Sequence, residues 1–221
     1  MTFAVLFLSS YLLGSVPFGF IIAKAHGTDL RKIGSGNIGA TNLARALGKK
    51  WAYLCFVLDT AKGLLPTLAA VSLSSSPPTI AQLLLTLAAG CAAISGHIFP
   101  IYLKFKGGKG VATSFGVALG LYPYYTICAI AALLIWLIFV LIWRYISLAS
   151  IAASLIFPLV LVSAIALNTG WYFADLWPLL VAAAVIPIVV VIRHRENVKR
   201  LLAGTESKVL QTDKTAAPGR N

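Results

Sequence analysis

The chain has 221 residues, of which 59% are hydrophobic and only 11% are charged. A soluble domain usually carries about 25% charged residues, so this composition excludes an ordinary water-soluble fold, which could not cover its surface with so few charges. The formal net charge of +12 comes from 18 Lys and Arg residues against 6 Asp and Glu residues. In so apolar a chain, this imbalance indicates orientation in a membrane rather than nucleic-acid binding, because basic residues collect on the inner side.

Apolar segments long enough to cross a bilayer follow one another along the chain. The first, residues 3–23, has no Lys or Arg before it and no small-residue cleavage site after it, so we expect an uncleaved span. The others cover residues 52–72, 80–99, 111–143, 146–167 and 175–192. As one helix the segment 111–143 would extend about 50 Å. Because it contains Pro123, glycine and tyrosines near its middle, it is either one kinked helix or two shorter ones.

The distribution of basic residues separates these alternatives. Two crossings, over 111–121 and 124–143, put every Lys and Arg except Lys62 on one side, whereas a single crossing moves Arg144 and all later residues to the other side. We therefore predict an all-α integral membrane protein with seven transmembrane helices, the N-terminus outside and the C-terminus cytoplasmic. Residues 1–204 form one polytopic domain in this prediction, and residues 205–221 form a polar cytoplasmic tail.

The first polar segment, residues 34–45, lies between the first two spans. It matches G-x-G-x-x-G, but no strand precedes it, so dinucleotide binding is a poor interpretation. Its glycines let backbone N–H groups approach a ligand, and Arg45 is a cation suited to phosphate. An ordinary flexible loop is the alternative. The candidate ligand-binding residues here are Ser35, Gly36, Asn37, Gly39, Thr41, Asn42 and Arg45.

The second polar segment follows His97 and leads into the apolar helix that starts near residue 111. It is not a P-loop, because Gly110 rather than Ser or Thr follows Lys109. Backbone donors at a helix N-terminus beside ammonium groups nevertheless form an anion site. Anchoring by the lysines alone is the alternative, but anchoring does not require the glycines. The candidates are His97, Lys104, Gly107, Gly108, Lys109 and Gly110.

The third polar segment follows the last span. On a helix that continues past this span, His194, Asn197 and Arg200 share a face. His194 can act as acid, base or hydrogen-bond donor, although a lone histidine at a membrane boundary is often structural. Arg144 and Ser147 belong to the same membrane face and can join this group, with snorkelling as the alternative for Arg144.

Other chemistry is limited. Asp59 and Lys62 lie three positions apart inside the second span, where an ion pair is either functional or structural. The acidic residues do not cluster and the histidines lack ligand spacing with cysteine, so we expect no metal site. We also find no G-x-S-x-G motif and no adjacent Cys–His pair for nucleophilic catalysis.

Taken in order, the three polar segments resemble the motifs of the bacterial acyl-phosphate:glycerol-3-phosphate acyltransferases. The resemblance extends over about residues 11 to 206 and includes Asp59-x-x-Lys62-Gly63, Gly96-His97 and Arg144-Tyr145-x-Ser147. Its three main motifs are Ser35-Gly36-Asn37-x-Gly39-x-Thr41-Asn42-x-x-Arg45, Gly107-Gly108-Lys109-Gly110-Val111-Ala112-Thr113, and His194-x-x-Asn197 with Arg200.

The resemblance implies an enzyme that moves the acyl group of an acyl phosphate to the 1-hydroxyl of glycerol 3-phosphate, giving lysophosphatidic acid and phosphate. It implies no cofactor, metal, nucleic acid, acyl-CoA or carrier protein, and a bacterial inner membrane location with the site at the cytoplasmic face. We expect catalytic roles for His194, Asn197, Ser35 and Ser147. The 107–110 loop, with Ser35 and Asn37, would hold the acyl phosphate. Arg45 and Lys104 would position glycerol 3-phosphate, and Arg144 and Arg200 are further binding candidates. A phosphate or organic-anion transporter is the alternative, although transporters usually carry their polar residues near the membrane midplane.

Overall fold

The computed structural model describes residues 2–209, so most of the predicted tail lies outside the described residues. Within 2–209 the chain is entirely helical apart from its connections, with no strand. The α-helices are α1 (Thr2–Ser15), α2 (Phe18–Ala25), α3 (Ala40–Leu47), α4 (Lys49–Ser72), α5 (Ile80–Ile98), α6 (Val111–Gly120), α7 (Tyr124–Trp143), α8 (Ile146–Leu167), α9 (Phe173–Arg193) and α10 (Arg195–Leu202). Short 3-10 turns occur at Leu30–Lys32 and Ile101–Leu103.

Within residues 2–209, six segments are long and apolar enough to cross a membrane: Ala4–Ala25, Lys49–Ser72, Ile80–Leu103, Tyr124–Trp143, Ile146–Leu167 and Phe173–Arg193. They correspond to six of the predicted spans. Large apolar side chains on these helices, such as Leu65, Leu141 and Leu159, are exposed, which suits a surface that faces lipid rather than water. The chain is therefore an all-helical protein built for a bilayer, as its composition predicted.

The first predicted span, residues 3–23, consists of two helices rather than one. Pro17 separates α1 from α2, because proline has no N–H and its ring clashes with the preceding turn. The break frees the carbonyl of Val16, which accepts a 2.7 Å hydrogen bond from the Lys62 ammonium of α4. Lys62 also forms a 2.7 Å ion pair with Asp59, and both side chains are almost fully buried. The predicted Asp59–Lys62 pair thus joins α4 to the break in the first span.

The segment 111–143 does form two helices, as one of the two alternatives predicted, but the first is short. α6 has 10 residues and is therefore about 15 Å long, half the thickness of a hydrocarbon core of about 30 Å. It packs parallel to α4 through glycines: a Cβ on Gly116 would lie 2.0 Å from the Thr60 carbonyl, and one on Gly120 would lie 2.9 Å from Thr67. These contacts require glycine, because any side chain would separate the helices.

Two short helices flank the membrane-spanning bundle. Residues 40–47, which belong to the polar segment between the first two spans, form the helix α3, whose N-cap is Gly39. α3 packs on α2 and α4 through a small core that includes Leu30, Leu43 and Cys55. At the other end of the chain, α10 continues past α9 after a break at His194. A larger core between α5, α6, α7, α8 and α9, centred on Leu121, Leu161 and Leu179, holds the rest of the bundle together.

Candidate active site

The glycine-rich segment 107–110 packs against the end of α5 and contacts His97 there. The N–H of Gly108 donates to the His97 carbonyl at 3.1 Å, and the N–H of Gly107 donates to the Ile98 carbonyl at 3.2 Å. A Cβ on Gly108 would approach within 2.2 Å of His97 Nε2. The Gly108 carbonyl accepts a 2.7 Å hydrogen bond from Arg193 at the end of α9. Gly107 and Gly108 are therefore needed for close packing, and their N–H groups are already used within the protein.

A polar network extends from this segment to the end of the chain. The Lys109 ammonium donates to Asn197 Oδ1, and Asn197 Nδ2 donates to Glu206 Oε1 at 2.6 Å. The same carboxylate accepts the Ser147 hydroxyl at 2.7 Å and Arg200 Nε at 2.7 Å. The loop before α6, with helices α8 and α10, thus brings one ammonium, one hydroxyl, one amide and one guanidinium together.

The electrostatics of this centre favour anion binding. Burial lowers the pKa of Lys109 to about 8, against the opposing attraction of Glu206, so the ammonium form still predominates at neutral pH. Burial raises the pKa of Glu206, but hydrogen bonds from Asn197, Ser147 and Arg200 outweigh burial and hold it below its ordinary value. Lys109 and Arg200 therefore surround a single ionised carboxylate, and Arg193 lies close enough to Lys109 to lower its pKa, which leaves an excess of positive charge.

His194 lies at the break between α9 and α10 and is buried. Burial, with the nearby Lys109 ammonium, lowers its pKa to about 4. Its Nδ1 lies 2.9 Å from the Val190 carbonyl. A carbonyl only accepts, so Nδ1 carries the proton and Nε2 is the remaining acceptor. At neutral pH His194 is therefore an uncharged imidazole in a fixed orientation.

Asn42 organises the first polar segment. Its amide nitrogen donates to the carbonyls of Leu30, Ile33 and Asn37 at 2.9–3.0 Å, and its Oδ1 accepts the Ser35 N–H at 3.1 Å. The Asn42 side chain is 1% exposed, so it shapes the loop and has no free group for a ligand. The other asparagine of this segment, Asn37, accepts the N–H of Gly39 at 2.9 Å through Oδ1.

A cavity of 310 Å³ joins the first two polar segments. Gly36 borders it on one side and Gly107 on the other, and Arg31, Lys106 and Arg193 supply positive charge. Its remaining wall is apolar, formed by Ile38, Ile98, Phe99 and Phe105. The cavity thus combines cations with apolar surface, a combination that suits an amphiphilic anion.

Comparison with known proteins decides the family. A family model described as glycerol-3-phosphate acyltransferase matches residues 4–204. The chain belongs to this family. A glycerol-3-phosphate acyltransferase of Trichlorobacter lovleyi is 45% identical over 200 residues, which cover 90% of this chain and 93% of that protein. A glycerol-3-phosphate acyltransferase of Aquifex aeolicus is 44% identical over 200 residues, covering 90% and 95% of the two chains.

Solved structures agree with this assignment. The crystal structure of PlsY, an integral membrane glycerol 3-phosphate acyltransferase, in its glycerol 3-phosphate form matches with a TM-score of 0.80 and 42% identity over 95% of this chain and 96% of that one. The lysophosphatidic acid form of PlsY matches with a TM-score of 0.77 and 41% identity over 94% and 95% of the chains. The family resemblance seen in the sequence is confirmed: the chain is an integral membrane acyltransferase.

The predicted site residues of this acyltransferase differ in what they contact. Ser147, Asn197 and Arg200 meet at the Glu206 carboxylate, and Lys109 bonds to Asn197. The Ser35 and Arg45 side chains are exposed, although Arg45 is close enough to lower the pKa of Lys109. Thr41 is half-buried in the first turn of α3, and Gly110 is the N-cap of α6 with a φ of 84°.

Lys104 and Arg144 stand apart from the others. Both are exposed and have positive φ values of 51° and 62°. Among the described residues, neither side chain forms a hydrogen bond or an ion pair with the rest of the site. Arg144 contributes through its backbone, because its carbonyl accepts the N–H of Val209 at 2.7 Å. Their binding roles stay predictions.

The three motifs do not include two residues of the acyltransferase site. Glu206 lies in the segment 205–221, which the sequence predicts to be a polar tail, yet its carboxylate lies at the centre of the polar network. Arg193 was counted only among the basic residues of the inner side, yet it holds the Gly108 carbonyl. Arg193 and Glu206 lie close in sequence to His194 and Arg200, and this proximity could have drawn attention to them. It does not show that the chain folds back onto the site.

Proposed function

We propose that this acyltransferase takes its acyl group from an acyl phosphate and gives it to the 1-hydroxyl of glycerol 3-phosphate. The hydroxyl oxygen attacks the acyl carbonyl carbon, a new ester C–O bond forms, and the bond from that carbon to the phosphate oxygen breaks. The hydroxyl proton moves to the departing phosphate, so the products are lysophosphatidic acid and inorganic phosphate. Neither acyl-CoA nor a carrier protein takes part in this reaction.

One observation carries the proposal: three polar segments far apart in sequence meet at one end of the bundle, where cations outnumber carboxylates. Gly108 packs on His97, Lys109 binds Asn197, and Gly36 and Gly107 border one cavity. Two phosphate-bearing substrates need such an excess of positive charge. The apolar part of the cavity wall also suits an acyl chain. Membership of an enzyme family further favours group transfer over anion transport.

Specific donors support the binding of the acyl phosphate near α6. The N-terminus of α6 has the unpaired N–H groups of any helix start, and Lys109 lies next to its N-cap, Gly110. We propose that these groups, with Ser35 and Asn37, hold the acyl phosphate. Since Gly107 and Gly108 use their own N–H groups internally, they serve by shape. His194 and Asn197 then orient the reacting groups or stabilise charge on the carbonyl oxygen.

Arg45, with Lys104, is proposed to position glycerol 3-phosphate. Arg45 projects from α3 into solvent, where a water-soluble substrate can reach it. Replacing Arg45 by alanine should raise the KM for glycerol 3-phosphate and leave that for acyl phosphate nearly unchanged. The opposite pattern would reverse the assignment of the two anion sites.

Direct transfer, without an acyl-enzyme, follows from the weakness of the available bases. Ser147 donates to Glu206, but the pKa of that carboxyl is lowered, so it is a poor acceptor of the serine proton. Ser35 has an exposed hydroxyl, and no side chain in the described part of the chain accepts a hydrogen bond from it. Incubation with acyl phosphate alone, followed by mass spectrometry of the intact protein, should show no added acyl mass. An acylated Ser35 or Ser147 would contradict direct transfer.

The proposed reaction is tested with the purified protein in a lipid host. Acyl phosphate and glycerol 3-phosphate should give equal amounts of phosphate and lysophosphatidic acid, with no product when either is omitted. Acyl-CoA or acyl carrier protein in place of acyl phosphate should give none. Product from acyl-CoA alone would refute the choice of donor. No product from folded protein, with anion uptake into sealed vesicles, would support a transporter instead.

We further propose that the chain crosses a bacterial inner membrane seven times, with the N-terminus outside and the site at the cytoplasmic face. One domain, residues 1–204, contains the spans, and the remainder follows as a cytoplasmic segment. The half-length helix α6, together with the loop before it, would complete the fourth crossing. In a cysteine-free background, cysteines introduced at Ser75 and Gly170 should react with an impermeant thiol reagent in intact cells, whereas one at Lys50 should react only after lysis. Labelling of Lys50→Cys in intact cells would show that the orientation is the opposite of the one proposed.

A further inference from the structure

After α10 the chain folds back onto the site and places Glu206 there through backbone contacts. The N–H groups of Thr205 and Glu206 donate to the Arg200 carbonyl at 2.8 and 3.2 Å. Three residues further along, the N–H of Val209 donates to the Arg144 carbonyl at 2.7 Å. Glu206 is thus anchored on both sides, and its side chain is 7% exposed. Such an anchored carboxylate is a fixed part of the site.

We propose that Glu206 is a positioning residue of the acyltransferase, whose carboxylate sets the orientation of the Asn197 amide and serves as the countercharge of the Lys109 ammonium. This role rests on the proposed function in one respect, namely that Lys109 binds a substrate phosphate. It differs from a catalytic role, because Glu206 acts through Lys109 and Asn197.

The orientation of Asn197 follows from the chemistry of its two neighbours. An ionised carboxylate only accepts hydrogen bonds and an ammonium only donates them. Between Glu206 and Lys109, the amide must therefore turn its nitrogen to Glu206 and its oxygen to Lys109, as the two hydrogen bonds show. A glutamine at position 206 can donate as well as accept, so it would allow the amide of Asn197 to flip.

The countercharge matters because the other charges around Lys109 are positive. Burial already lowers the pKa of Lys109 to about 8, and only the Glu206 carboxylate acts to raise it. His194, whose pKa is about 4, is neutral beside it. The charged side chains that act on Lys109 from the neighbouring elements are Glu206, Arg45, Arg193 and Arg200.

Removing the Glu206 charge should therefore bring the titration of Lys109 into the physiological range. For unit charges separated by one bridging amide, an effective dielectric constant of about 20 gives a shift of about one to two pH units. Phosphate binding that requires the ammonium would then weaken about tenfold for each pH unit above the new pKa.

The test compares Glu206→Gln with Glu196→Gln, which removes an equal charge from an exposed position of α10 that forms ion pairs with Arg195 and Lys199. Two readouts are recorded between pH 6 and 10: kcat/KM, and the rate at which an amine-directed acylating reagent modifies Lys109, followed by mass spectrometry. In Glu206→Gln both midpoints should move to lower pH by about one to two units, while Glu196→Gln should match the wild type. Midpoints that do not move, even if kcat falls uniformly, would overturn the proposal and leave Glu206 a merely structural residue.

Two further measurements keep the test decisive. Glu206→Asp retains the charge and should keep the Lys109 labelling midpoint near the wild-type value, even if kcat falls. If Glu206→Gln does not fold, Lys109→Arg replaces it, because arginine does not titrate below pH 12. The alkaline loss of activity should then disappear, and its persistence would overturn the role of Lys109 protonation. The labelling assay needs no acyl transfer, so failure of the proposed reaction and failure of the countercharge are distinguished.

Discussion

Replacing Gly108 by alanine should disable the site through one steric contact. The added methyl group would lie 2.2 Å from His97 Nε2, whereas non-bonded heavy atoms rest about 3.5–4.0 Å apart. The ring has little room to retreat, because His97 is 5% exposed and its Nδ1 lies 3.7 Å from Asp59 Oδ1. The glycine-rich segment must therefore move by about 1 Å, and Lys109 moves with it. Overpacking of this kind costs about 1–3 kcal/mol, and a misplacement of about 1 Å at a positioned site costs about 100-fold in rate.

Initial rates of lysophosphatidic acid formation by purified variants measure this effect. For Gly108→Ala we expect kcat/KM to fall about 100-fold. Gly170→Ala is the matched control, because its Cβ would meet only Asn168 Oδ1, at 3.5 Å. Adding His97→Ala to Gly108→Ala removes the clash, so the double variant should lose less activity than the product of the two single losses. Wild-type kinetics in Gly108→Ala, or fully multiplicative losses, would refute the steric explanation.

Three further predictions concern stability. Lys62→Met removes the ion-pair partner of the buried Asp59 carboxylate and should lower the free energy of unfolding by about 3–5 kcal/mol, measured as a lower thermal unfolding temperature in detergent. Adding Asp59→Asn to the same chain should restore most of the lost stability. No recovery would argue against the ion pair. Asn42→Ala removes the side-chain hydrogen bonds that join Leu30, Ile33, Ser35 and Asn37 and should cost about 2–4 kcal/mol. Asn168→Ala loses one exposed hydrogen bond and should melt like the wild type. Burial lowers the pKa of His194 to about 4, below the unfolded value of about 6.5. Because the unfolded chain binds the proton first, stability should decline as pH falls from about 6.5 to about 4. His194→Gln should flatten this decline, and an unchanged slope would exclude His194 as its cause.

The sequence was sufficient for the spans because a bilayer admits few alternatives. Every backbone polar group inside it must be paired within the segment, so long apolar runs become helices, and six of the predicted spans appear as such helices. The break near Pro123 was also readable, since proline and glycine interrupt helices locally. The motifs were readable for a related reason: the short polar stretches around Asn42, Lys109 and Asn197 stand out against an apolar background.

The roles of single residues could not be read in the same way. Asn42 looked like a ligand-binding amide, but its side chain is fully occupied by the loop that contains it. Gly107 and Gly108 looked like backbone donors, yet their N–H groups bond to the end of α5. In each case the sequence identifies a polar or flexible residue, while its partner lies on another segment.

The amino-acid sequence by itself determined an all-helical membrane protein and three polar segments, because hydrophobicity and helix breaking are local properties of the chain. Only the tertiary structure decided that Lys62 joins Asp59 to the freed carbonyl of Val16, and that Glu206 returns to the centre of the site. Glu206 reaches Ser147 across 59 residues of sequence. Such a contact depends on how helices pack and on where the chain turns back, and a local pattern carries information on neither.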